Sequence, residues 1–186
     1  MLASLAMGLA GLAGAWPLAH ARVEPMYGQP PAEHLGGELD LTDQHGLPFS
    51  LARLSGRPGL VFFGATHCGS TCPAALMSAR EVLGRFDGRD VPAIVFVTLD
   101  PLSDGPRELR EHLGRIDPRL IGLTGSPSQV MRVADRYGVG TRPTASGIDH
   151  SAKWYLLDRQ GQVRRVYPYS ESPEHLAADL RRLESS

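Results

Sequence analysis

The stretch Gly59-Leu60-Val61-Phe62-Phe63-Gly64-Ala65-Thr66-His67-Cys68-Gly69-Ser70-Thr71-Cys72-Pro73 decides how the rest of the chain reads. Its first six residues form a short continuous apolar run closed by glycines, the pattern of a strand buried on both faces of a parallel sheet. From Pro73 the period changes: Leu76, Ala79, Leu83 and Phe86 fall on one helical stripe, and proline suits a first helical turn. Cys68 and Cys72 therefore sit where a central strand hands over to a helix.

Toward the C-terminus the alternation continues. Val91 to Leu99 reads as a second buried strand, and Leu109, Leu113 and Ile116 mark a helix after Pro106. Leu120 to Leu123 is a third strand. Ser126-Pro127-Ser128-Gln129 is a capping box with proline at the first helical position, and Gly138 closes the helix it opens. Lys153 to Leu157 and Val163 to Tyr167, joined by Asp158-Arg159-Gln160-Gly161, read as an antiparallel hairpin. Ser172-Pro173 then opens a last helix carrying Leu176, Leu180 and Leu183. On the N-terminal side, Glu38 to Thr42 and Pro48 to Leu51 flank the turn cluster Asp43-Gln44-His45-Gly46, predicting a β-hairpin over one sheet edge. Strand-helix alternation implies an α/β fold with a mostly parallel sheet. The whole order is that of a thioredoxin-like fold: a central mixed sheet flanked by helices, with an N-terminal β-hairpin extension, over residues 37–186.

An apolar fraction of 42% with 21% charged residues over 186 residues is enough for one domain with a real core. The net charge of −1, with both signs interspersed, gives no footprint for nucleic acid. Residues 1–21 contain no Lys, Arg, Asp or Glu and end in Ala19-His20-Ala21, a small-x-small cleavage pattern, so they read as a signal peptide or retained membrane anchor. Residues 22–36, rich in Pro and Gly, read as a flexible linker. The expected location is the periplasm or the outer face of a bacterial cytoplasmic membrane, with a membrane tether where the leader is kept.

An exported chain meets an oxidising compartment, so two cysteines four residues apart become its chemical centre. The positive end of a helix dipole favours a thiolate, which opens both redox and metal chemistry. On a helix, positions i and i+4 share a face, so the two sulfurs can close a disulfide or converge on one soft metal. A plain stabilising bridge is the weakest use, because so short a loop removes little unfolded-chain entropy. Two thiolates plus one imidazole would make a trigonal set suited to Cu(I), with nitrogen making Cu(II) tolerable. Among seven histidines, His20 falls in the leader, His34 in the linker, His45 in a turn, and His112 and His175 on helices. His67 is close to Cys68 by necessity but points the other way on an extended segment. His150, in Ile148-Asp149-His150-Ser151-Ala152, precedes the strand from Lys153 and is the other candidate, with Asp149 beside it.

The chain resembles the Sco/SenC/PrrC family of copper-binding assembly factors for cytochrome c oxidase. The likeness covers about Gly37 to Leu183. It rests on Gly37-Glu38-Leu39 to Phe49-Ser50-Leu51, the run Phe63 to Pro73, Val97-Thr98-Leu99-Asp100-Pro101 with Asp104 and Pro106, Leu123-Thr124-Gly125-Ser126, and Asp149-His150-Ser151-Ala152 with Tyr155-Leu156-Leu157-Asp158 and Gly161. The resemblance implies that Cys68, Cys72 and His150 bind copper. It implies a metallochaperone rather than an enzyme, serving the binuclear copper centre of oxidase subunit II or another copper-dependent oxidase, as metal donor or as thiol reductant. Other periplasmic copper chaperones or thiol reductases would be its further partners. Gly69 and Ser70 replace the family's usual Pro and Asp, and Thr71 a usual apolar residue, which makes the site less negative. Two alternatives on the same residues are an exported thiol-disulfide oxidoreductase using Cys68 and Cys72 as a catalytic redox pair, and, more remotely, a peroxidase-like enzyme.

Overall fold

The computed structural model describes residues 26–54, 56–67, 71–88, 91–144 and 147–184, with 141–144 and 147–150 described as backbone. The leader expected over 1–21 lies outside the described residues, and among those described no helix is long and apolar enough to cross a membrane.

The run that opened the sequence reading is strand β3, Gly59–Gly64, buried at every position. It pairs in parallel with β4, Ala93–Thr98, which pairs in parallel with β5, Ile121–Thr124. The predicted N-terminal hairpin is present but shorter, β1 Leu41–Asp43 and β2 Pro48–Phe49, and β1 joins the sheet antiparallel to β5. A 3-10 turn, Leu51–Leu54, follows. At the other side β8, Lys153–Leu157, runs antiparallel to β3, and β9, Val163–Pro168, antiparallel to β8. Numbering the intervening hairpin β6 Thr141–Thr144 and β7 Gly147–His150, the main sheet has the order β2-β1-β5-β4-β3-β8-β9.

Side chains alternate across this sheet. Leu60 and Phe62 face one core, shared with helix α1 (Thr71–Leu83), α2 (Pro106–Gly114) and α4 (Pro173–Glu184); Val61 and Phe63 face the other, shared with α3 (Pro127–Arg136). The sheet is therefore covered on both faces, as its parallel centre requires. Helix α3 starts on the predicted capping box, with the Ser126 side chain accepting from Gln129 N–H, and ends before Gly138 at φ +61°.

Two polar clamps tie the ends of the fold down. The Asp43 carboxylate accepts from His45 N–H and Leu47 N–H, both at 2.9 Å, and from Arg53 Nη1 at 2.7 Å. Burial alone pushes its pKa up, but these hydrogen bonds outweigh that and hold the carboxyl below the usual range. Beside it, the buried Gln44 amide donates to Leu120 O and accepts from Gly122 N–H, 2.9 Å each, stitching the hairpin to β5. Asp179, fully buried on α4, accepts from Tyr27 N–H at 2.7 Å, Tyr167 Oη at 2.8 Å and Arg182 Nη1 at 2.6 Å.

Contacts with the domain consequently begin before Gly37. Tyr27 stacks on His175 with ring centroids 3.7 Å apart, and Gln29 exchanges both backbone hydrogen bonds with Val166 on the outer edge of β9. Part of the stretch that composition marks as linker thus covers an open sheet edge. Composition missed this because the carboxylate that holds it lies some 150 residues away.

Asp179→Ala leaves the Tyr167 hydroxyl buried without an acceptor and should cost about 2–3 kcal/mol, read by urea unfolding, with faster proteolysis around residues 26–30. Asp43→Asn should lower stability at pH 7 by about 1–2 kcal/mol. Because the folded pKa of Asp43 is depressed, its contribution is complete above the unfolded value near about 4 and fades as pH falls through the folded one. The gap between wild type and Asp43→Asn should therefore close in acid.

Candidate metal and thiol site

The site forms where β3 ends. Its last residue, Gly64, pairs with Thr98 of β4, and Gly64 O accepts from Leu99 N–H at 2.7 Å, so the two strands stay locked to the point where the chain turns out. Ala65, Thr66 and His67 make that turn. Cys68 lies outside the described residues. Cys72 is the second residue of α1 and is 2% exposed. This puts its sulfur in the first turn, where the helix dipole favours the thiolate, and no acidic side chain of that turn opposes it.

Why Gly64 is glycine follows from the same corner. A Cβ there would lie 2.7 Å from Cys72 Sγ and 3.1 Å from the Phe96 ring. The missing side chain makes the seat for the sulfur, which otherwise packs among Leu60, Phe62, Ala75, Leu76 and Phe96. An apolar wall with one soft donor at its rim suits a soft metal or thiol chemistry better than a hard cation.

His150 ends β7, where its backbone pairs with Thr141, and Ser151 N–H donates to Gly140 O at 3.1 Å. A short antiparallel hairpin that the sequence reading did not include thus stands before β8, carrying His150 at its exit. The strand was missed because Arg142 and Pro143 face Asp149 and Ile148 with no apolar alternation to announce it. The β3–β8 ladder then sets its position. Gly59 faces Leu157 and Phe62 faces Trp154, so the chain entering β8 approaches from the end of the sheet at which Gly64 gives way to the cysteine turn. Backbone register alone therefore sends the Asp149-His150 segment to the Cys72 end of the sheet.

His67 points out, with 73% of its side chain exposed and Nδ1 3.0 Å from Thr66 Oγ1. His112 is half-buried on α2. Burial pushes its imidazole below the usual histidine range, more than the nearby Asp104 charge raises it. His175 is engaged with Glu171, Nδ1 to Oε1 2.7 Å, and with Tyr27. His45 lies in the β1–β2 turn as expected. Among the described residues no three His, Cys, Asp or Glu side chains converge as a metal cage.

Asp104, not singled out by its place in the sequence, also belongs to this corner. It is fully buried beneath the turn that leads to Cys68, and its carboxylate accepts from Thr66 N–H at 2.9 Å, from Thr98 Oγ1 at 2.7 Å and from Thr66 Oγ1. Hydrogen bonds between two loops leave no periodic trace in a sequence. The available signal was two acids, Asp100 and Asp104, close behind a buried strand.

Known proteins share this architecture. The structure of Bradyrhizobium japonicum ScoI with copper bound is 37% identical, superposes with a TM-score of 0.72, and matches 80% of this chain and 99% of its own. Yeast Sco1 with copper bound is 27% identical with a TM-score of 0.73, over 82% of this chain and 89% of its own. A SCO2-like protein of Rickettsia conorii is 32% identical over 155 residues, 79% of this chain and 76% of the relative. The SCO1/SenC family profile matches residues 28–185, and with that match and the sheet order in place, this chain belongs to the SCO1/SenC family.

Proposed function

We propose that the protein is a copper metallochaperone that holds one copper ion through Cys68, Cys72 and His150 and passes it to the binuclear copper centre of cytochrome c oxidase or of another copper-dependent oxidase. The observation that carries this reading is the seat of Cys72: a buried sulfur on the first turn of α1, opposite a glycine, at the sheet end toward which the β3–β8 register sends His150. Copper-bound relatives of the same family support the choice of metal.

The chemistry follows from the donors. Two thiolates and one imidazole give Cu(I) a low-coordinate, mostly sulfur environment, and the nitrogen keeps Cu(II) acceptable. Such a site releases its cargo by ligand exchange when a partner's thiolates replace these donors one at a time, with no change of oxidation state. The dipole of α1 steadies the thiolates left behind. Gly69 and Ser70, in place of an acidic neighbour, leave the site less negative.

The same pair also suits a reductant of the partner's disulfide. In that reaction two thiols here become a Cys68–Cys72 bridge, the partner's sulfur–sulfur bond breaks, and the two protons end on its cysteines. Cys72 on the first helical turn favours this second reading equally; His150 is what separates them.

Export to the periplasmic side, with residues 1–21 as leader or anchor and a working domain that is already joined by the residues from Tyr27 onward, would put the site in the compartment where such a transfer occurs.

Titration of the reduced protein with Cu(I) and Cu(II) should give one site per chain. His150→Ala should weaken it by at least about 100-fold, more than an outer-sphere change would, and Cys72→Ser should abolish Cu(I) binding. Equal copper affinity in His150→Ala would defeat the three-donor site. Disulfide turnover unchanged in that variant would favour the oxidoreductase. Gly64→Ala, which forces the sulfur from its seat, should cost about 1–3 kcal/mol of stability and weaken Cu(I) binding. Gly114→Ala, where a Cβ meets nothing within 4 Å, serves as the neutral control.

A further inference from the structure

The ladder between β3 and β4 stops at Gly64 and Thr98. Past that point the Thr66 N–H has no strand to bond to. It donates instead to Asp104 Oδ2 at 2.9 Å, and the Thr98 hydroxyl donates to the same oxygen at 2.7 Å. The Thr66 hydroxyl donates to the other oxygen, Oδ1, which also lies 3.7 Å from His67 Nδ1. Asp104 is held in turn by its own loop: its N–H donates to Asp100 O at 2.9 Å, and Asp100 N–H donates to Thr98 Oγ1 at 3.0 Å. A fully buried carboxylate thus joins the β3–α1 turn to the β4–α2 loop, two residues before Cys68.

We infer that Asp104 is a positioning residue for the cysteine pair: by gripping Thr66 at both its N–H and its hydroxyl, it fixes where the chain delivers Cys68 relative to Cys72, and so sets the affinity of the pair for a soft metal and for disulfide closure. This rests on the proposed reading of Cys68 and Cys72 as the working pair. Cys72 is fixed independently, on the first turn of a helix and against Gly64. Before the first cysteine, Thr66 and His67 are turn residues, and among the described residues Asp104 ties Thr66 to the body by both its N–H and its hydroxyl. Burying a carboxylate is costly unless its acceptor capacity is used. Here it is used on three donors, two from Thr66 in the turn and one from Thr98 at the end of β4, so the carboxylate is spent on the geometry of this corner.

The carboxylate need not be charged to do this. In Asp104→Asn the amide oxygen can keep the Thr66 N–H and Thr98 hydroxyl bonds, while the amide N–H can donate to a Thr66 hydroxyl turned to accept. Asp104→Ala removes all three bonds. Thr66→Val removes the hydroxyl contact and leaves the N–H bond.

Two measurements on the full chain test the assignment. One is Cu(I) affinity. The other is the equilibrium with reduced and oxidised glutathione, in which the two protein thiols close a disulfide, the sulfur–sulfur bond of oxidised glutathione breaks, and two glutathione thiols take up the protons. Asp104→Ala should weaken Cu(I) binding by about 10–100-fold and lower the disulfide-forming constant by roughly tenfold, as expected when two groups lose their fixed approach. Asp104→Asn should restore both to within about threefold. Asp179→Ala, an equally buried acid on α4, should lose thermal stability and leave both readouts unchanged, which separates general destabilisation from positioning. If Asp104→Ala does not fold, Thr66→Val should shift the glutathione equilibrium in the same direction by roughly threefold. An equilibrium constant unchanged in Asp104→Ala, or in Thr66→Val when that variant stands in, overturns the assignment; so does an Asp104→Asn as impaired as the alanine variant. A wild type that takes no copper defeats the metallochaperone reading alone, since the glutathione equilibrium still reports on Asp104.

Discussion

The antiparallel register of β8 on β3 is the constraint on which the rest depends. β3 carries the cysteine turn at its carboxyl end, and β8 is entered from His150, about eighty residues later. Phe62 opposite Trp154 fixes how far the second chain runs alongside the first, and with it which residues arrive at the corner. The rings of that pair sit 4.9 Å apart within the core that also holds Cys72. A slip of one residue would turn Trp154 and Leu156 toward the face occupied by Tyr137 and Tyr155, so the apolar patterning of both faces defends the register.

Around that ladder, each element has a task defined by burial. Covering both faces of β3 and β4 requires helices on both sides, and α1 is the one whose first turn is left at the sheet end. Its placement there supplies a thiolate-favouring dipole without any charged side chain. Gly64 then allows the sulfur to come within contact of the strand backbone, and Asp104 continues the strand-to-strand locking beyond the last ladder pair.

Much of this was legible in the residues. Continuous apolar runs marked the three parallel strands, and Ser126 with Gln129 and Gly138 marked the limits of α3, because these signals are local. The cysteine pair was legible for the same reason, by its place between a run and a stripe. What escaped was non-local or without pattern: the β6–β7 hairpin at Arg142 and Pro143, the clamp of Asp179 on Tyr27, and the grip of Asp104 on Thr66. The hairpin is local but has no apolar alternation to mark it, and the other two are bonds between segments distant in sequence, each made by one side chain. His150 stands between these cases. Its chemistry could be named from the residue, but choosing it over His67 required the family likeness; the β3–β8 register brings its segment to the end of the sheet at which Cys72 lies.

The central claim is that one copper ion meets two sulfurs and one imidazole in this corner. X-ray absorption at the copper edge of the Cu(I)-loaded protein reads that donor set directly. The account predicts a shell of two sulfur atoms and one nitrogen, with imidazole scattering that disappears in His150→Ala. A shell of sulfur alone in the wild type, or one in which the imidazole signal survives that substitution, would contradict it.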